Sequence, residues 1–154
     1  MHLNRFRTAT LAAGLLALAA VAPVAPVAAQ DAQTPGTADA PRVVHIDIGD
    51  GSMTPNVVDV LKGETITFEA TNVSTGGEVE IIVGLAADVA ADSGDSLKEA
   101  EGIQPGATDT VTYTFDGDGP WGYGDQVGDH YSKGAKGDIA FVDSLDAPAA
   151  STAP

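Results

Sequence analysis

The side chains with chemistry beyond folding gather in one loop. Asp125 and His130 stand five positions apart in the stretch from Gly119 to Val142, GPWGYGDQVGDHYSKGAKGDIAFV. A carboxylate and an imidazole held together can share a hydrogen bond that braces a loop. They can also serve as two ligands of zinc, manganese or a non-blue copper(II) ion. Glu78, Glu80 and Asp129 are close in sequence, but Glu78 and Glu80 alternate with Val79 and face away from it on a strand. That leaves Asp125 and His130 as the metal-ligating candidates, a weak pair. His45 sits beside Asp47 on the polar face of an alternating segment and is expected in solvent. No G-x-S-x-G elbow or Ser/His/Asp arrangement is visible, so no catalytic residue is assigned and no enzyme is expected. The acidic turns Asp116-Gly117-Asp118-Gly119 and Asp92-Ser93-Gly94-Asp95 lack the twelve-residue pattern and closing glutamate of a calcium loop. Trp121, Tyr123 and Tyr131 form an aromatic set expected as core or rim at the same end.

The elements that position this loop follow a period of two. Val44, Ile46 and Ile48 alternate with His45 and Asp47; Ile66, Phe68 and Ala70 alternate with Thr65, Thr67 and Glu69. Val79, Ile81 and Val83 form a third set, Val111, Tyr113 and Phe115 a fourth, and Ile139 and Phe141 the last. Such alternation describes antiparallel strands with one wet face. Glycine- and aspartate-rich turns separate them, which suggests a β-sandwich of about seven strands. The Ala-rich acidic stretch 85–101 is expected as an insertion holding one or two helical turns, and Asp125 to Lys136 as a loop without regular structure.

The loop and its surroundings resemble the cupredoxins, the plastocyanin and azurin family of blue-copper proteins. W-G-Y-G-D-Q-V-G-D-H-Y-S-K-G-A-K-G-D-I-A-F-V aligns without a gap to that family's C-terminal ligand loop. His130 falls on the loop histidine, and Gly134 and Gly137 on its two glycines. MTPNVVDVLKGETITFE at 53–69, Asn72, VEIIVG at 79–84, and Ile103 to Gly106 with the strand Val111 to Phe115 extend the likeness over about 100 residues in order. The resemblance implies an all-β, cupredoxin-like Greek-key β-sandwich. It also implies a copper site with two histidines, a cysteine thiolate and a weak methionine. Those positions carry Val79, Asp125, His130 and Ala135 here. Without a thiolate the chain cannot build the soft, short-bonded site of blue copper, and it contains no cysteine at all. The expectation is a domain that kept the scaffold and lost type-1 copper. No cofactor is expected; copper, with electron transfer, would return only if the family function were retained. The alternative is a protein that handles copper or zinc weakly through Asp125 and His130.

Composition bounds the rest. Residues 1–29 read as an export signal: a basic start with Arg5 and Arg7, an apolar run of 11 residues from Leu11 to Val21, then Val27-Ala28-Ala29 at the cleavage site. The run is too short to span a bilayer. A periplasmic or extracellular protein is expected, with no membrane contact after cleavage. The remaining 125 residues carry five basic and 22 acidic side chains, a net −17. That excludes nucleic acid and anionic membrane as partners, since both demand cationic surface. It suits a basic protein partner or a saline habitat. One domain is expected at 42–143, with a flexible linker at 30–41, a disordered tail at 144–154, and a monomeric state.

Overall fold

The structure, a computed structural model, describes residues 33–145; the expected export signal and the expected tail beyond residue 145 lie outside them. Each alternating segment became a strand, because burying one β-branched face contributes about 1.5–3 kcal/mol per side chain while the polar face stays hydrated. The strands are β1 (Arg42–Gly49), β2 (Ser52–Thr54), β3 (Val57–Val60), β4 (Thr65–Asn72), β5 (Val79–Leu85), β6 (Lys98–Ile103), β7 (Thr108–Thr114), β8 (Trp121–Gly124) and β9 (Lys136–Phe141). Two short helices complete the set, α1 (Ala86–Ala91) and α2 (His130–Lys133). None of the helices among the described residues is long and apolar enough to cross a membrane.

The strands form a sandwich of two sheets, ordered β2-β1-β4-β7 and β3-β9-β8-β5-β6. Between them lie Ile46, Ile48, Ile66, Phe68, Val79, Ile81, Val83, Phe115 and Tyr123, all shielded from solvent. Phe68 centres this core, its ring 6.2 Å from Phe115 and 5.7 Å from Tyr123. The chain has no cysteine, so apolar contacts rather than disulfides hold the two sheets together.

Two expectations needed correction and a third was extended. The described residues hold nine strands rather than about seven, because β2 and β3 are short edge pieces on either side of a change of sheet. The pairing is mixed rather than antiparallel: β1 runs parallel to β4, and β3 parallel to β9. Alternation reports which face is buried, not strand direction; direction is set by the connections, and here the chain changes sheet between the paired strands. The 85–101 segment does hold the expected short helix, α1, closed by Asp92 in the left-handed conformation at φ 49°, and its last residues add an unexpected strand, β6. Ala100 and Ile103 supply the apolar contacts that let Lys98–Ile103 join the sheet beside β5.

A buried ion pair secures the entry to β1. The Glu64 side chain is fully buried and accepts from Arg42 Nε at 2.6 Å and Nη2 at 3.1 Å. It also accepts the N–H groups of Gly36 and Leu61. Desolvation pushes its pKa up, but the Arg42 contact and those two N–H donors prevail and hold it below the usual glutamate value.

Candidate functional site

Strand β8 delivers the site. Its aromatic residues Trp121 and Tyr123 face the core, and its alternating glycines Gly122 and Gly124 face outward under α1 and α2. A Cβ at Gly122 would lie 3.7 Å from Ala86 Cβ, and one at Gly124 would lie 2.7 Å from the Tyr131 ring and 3.2 Å from Val89. The bare strand face therefore lets both helices lie flat on the sheet. Immediately after Gly124 the chain turns inward and buries Asp125 completely.

Asp125, His130 and Ala135 are tied in one knot. Asp125 N–H donates to Ala135 O at 3.0 Å, and Ala135 N–H donates to His130 O at 3.0 Å. Gly134 N–H donates to the same carbonyl at 3.1 Å, and His130 N–H donates to Val127 O at 3.1 Å. Asp125 Oδ1 accepts Val127 N–H at 2.9 Å, and Oδ2 lies 2.7 Å from His130 Nδ1. The stretch expected to lack regular structure thus contains the single helical turn α2, which sets the imidazole over the carboxylate. The two aligned glycines have local reasons. Gly134 adopts φ 121° with Gly51 O close by, and Gly137 lies so near the Tyr123 phenol that any side chain would collide with it.

The candidate ligands Asp125 and His130 do converge, but as hydrogen-bond partners. Two donors bound at zinc-like lengths of about 2.0–2.2 Å in tetrahedral geometry stand roughly 3.4 Å apart. At 2.7 Å the pair has no room for an ion between its atoms. Val79 and Ala135 are wholly buried and bring no donor; Val79 packs inward with Ile81 and Val83, as its strand position implied. Among the described residues no three His, Cys, Asp or Glu side chains come together as a metal group. These residues do not fit a blue-copper centre.

Other sequence-stretch candidates scatter. Asp129 pairs with Lys133 at 2.7 Å, and Glu78 accepts from Gln104 Nε2. Asp118 pairs with Lys62 at 2.6 Å. His45 is largely in solvent, 3.4 Å from Glu69. The aromatic set is not one cluster. Trp121 packs on Tyr113 and Phe115, Tyr123 packs on Phe68, and Tyr131 lies on the outer face with Lys136 Nζ 5.0 Å from its ring centroid. Strand alternation puts Trp121 and Tyr123 inside, while Tyr131 belongs to a helix outside the sheet.

Sequence reasoning missed one contributor. Glu80 faces away from Val79 yet reaches the loop, where Oε1 accepts Gln126 N–H at 2.8 Å. Burial raises its pKa; the Gln126 N–H opposes that rise, and the nearby charges of Asp125, Asp92 and Glu101 add to it. Gln126 in turn donates through Nε2 to Val89 O at 2.6 Å, which ties the loop to α1. Asn72, singled out by the alignment, is buried and holds the approach to β5. Its Nδ2 donates to Gly77 O and Ile103 O, and its Oδ1 accepts Ser74 N–H.

No protein-family model and no curated protein matches this sequence. Solved structures do match in shape. A dithionite-reduced auracyanin from Roseiflexus castenholzii superposes with TM-score 0.57 at 22% identity, over 70% of this chain and 99% of that one. Auracyanin B gives 0.57 at 14%, over 75% and 95%. An azurin from Methylomonas sp. strain J gives 0.53 at 14%, over 66% and 98%. The domain has a cupredoxin-like β-sandwich fold.

Proposed function

We propose that this domain is a non-catalytic binding or accessory module, exported from the cytoplasm, that uses a cupredoxin-like scaffold without type-1 copper. The observation that carries the proposal is the 2.7 Å contact between His130 Nδ1 and Asp125 Oδ2. In the place where the resemblance sets a thiolate and an imidazole around copper, a carboxylate and an imidazole bond to each other and brace the loop. A fold does not fix a function, and here the donor set speaks against the chemistry the fold would suggest. The partner is a basic protein surface, by complementarity to the excess of acidic side chains.

The test is spectroscopic. Copper(II) added to the purified protein gives no intense band near about 600 nm, the region of copper–thiolate absorption. An intense band there overturns the proposal. A capture experiment from the exported fraction at physiological salt then tests for a basic partner, whose retention falls as salt is raised.

The convergence of Asp125 and His130 favours a second reading, weak copper or zinc handling. For both side chains to ligate, the imidazole must swing away from the carboxylate; as paired, only His130 Nε2 is open to an ion, with Asp125 orienting the ring. Calorimetric titration of zinc(II) and copper(II) into the wild type and His130→Ala decides it. Equal, negligible heats remove metal handling; a saturable heat lost in the variant establishes it.

A further inference from the structure

At the opposite end of β8 from Asp125, a cleft of about 370 Å³ opens between Lys62, Asp118, Gly119, Phe141, Val142 and Asp143. That volume is within the range of small-molecule sites, about 300–1,000 Å³. Phe141 gives it an apolar wall and is 41% exposed, although Ile139, two residues earlier on the same face, is buried. Behind Gly119 lies Trp121, only 8% exposed. Its Nε1 is the one buried side-chain nitrogen or oxygen among the described residues without a hydrogen-bond partner. A buried donor in that condition is costly and calls for an acceptor.

Gly119 rests against the Cδ1–Nε1 edge of the indole; a Cβ there would lie 2.6 Å from Cδ1 and 3.2 Å from Nε1. Gly117 covers the benzo side of the same N–H edge, where a Cβ would lie 3.0 Å from Cζ2. The cover over the donor is therefore a Gly-Asp-Gly arch, and its central residue is anchored by the exposed Lys62–Asp118 ion pair, a weak tether. Trp121 does not line the cleft while the arch is in place, so an acceptor reaches Nε1 only when the arch moves aside. We propose that the cleft, with the arch displaced, is a binding site for a small neutral molecule with an apolar body and one carbonyl-type acceptor, the body on Phe141 and the acceptor on Trp121 Nε1–H. Asp118 and Asp143 in the rim, on a strongly acidic chain, repel an anion. A cation brings no acceptor for the indole.

Trp121 is the only tryptophan, so the full chain gives one indole N–H resonance. That resonance is followed during titration with cyclohexanone, and with cyclohexylammonium, which keeps the ring but lacks the acceptor. The expected result is a saturable downfield shift of the indole proton with the ketone and none with the ammonium. Nuclear Overhauser contacts run from the ketone methylenes to the Phe141 ring. Phe141→Ala weakens ketone binding by about fivefold or more, the loss of an apolar wall. An indole signal that does not saturate, shifts alike with both probes, or moves without contacts to Phe141 overturns the site and leaves a trapped water as the partner of Nε1.

Discussion

Tyr131 lies with its ring edge where a side chain on Gly124 would be: a Cβ there would stand 2.7 Å from Cε2 and 2.8 Å from Cδ2. The contact matters beyond packing, because Tyr131 follows His130 in α2. Seating the phenol on a bare strand fixes the helical turn, and the turn fixes the imidazole over Asp125. The Trp-Gly-Tyr-Gly alternation of β8 thus serves two layers, aromatic rings for the core and empty space for the loop.

Gly124→Ala is expected to cost about 1–3 kcal/mol, since the added methyl meets a ring and Val89 rather than a mobile chain end. Urea denaturation measures it. In a Tyr131→Ala background the same change is expected to cost markedly less, and equal costs in both backgrounds would show that the ring is not the obstacle.

Asp125→Ala removes the acceptor of both Val127 N–H and the imidazole inside a buried loop, and is expected to lower stability by about 1–3 kcal/mol. Asp125→Asn keeps a carbonyl for Val127 and is expected to lose less. Thermal melts of the two variants beside the wild type check the order.

Glu64→Gln strips the charge from a buried pair and leaves Arg42 uncompensated, with an expected cost of about 3–5 kcal/mol. The folded pKa of Glu64 is below its ordinary 4.5. In that interval the unfolded chain binds more protons, so the stabilisation is complete above pH 4.5 and is lost as pH falls through the folded pKa. Denaturation midpoints followed from pH 7 down to pH 3 are expected to fall less steeply in Glu64→Gln than in the wild type.

Glu80 has the opposite sign. Its folded pKa is raised above 4.5, so the native state holds the proton longer and stability falls as pH rises from 4.5 through the folded value. Glu80→Gln keeps an acceptor for Gln126 N–H while removing the burial of a charge and, after that, its repulsion with Asp125. It is expected to be more stable than the wild type at pH 7, with the gain vanishing near pH 4. Paired melts at the two pH values decide it.

The amino-acid sequence by itself determined the two-faced strands, since alternation of Ile46, Ile48, Phe68, Val79 and Ile81 with polar neighbours leaves one stable way to bury the apolar side. It also determined that no cysteine thiolate is available to a metal, because that depends on residue type alone and the chain has no cysteine. Strand direction, the short edge strands, the α2 turn and the reach of Glu80 to Gln126 were decided by tertiary structure. Each depends on where connections and distant residues meet, information that local periodicity does not hold. The Asp125–His130 contact belongs to both: spacing made it possible, and the backbone bonds around Ala135 together with the packing of Tyr131 on Gly124 set it at the 2.7 Å of a hydrogen bond.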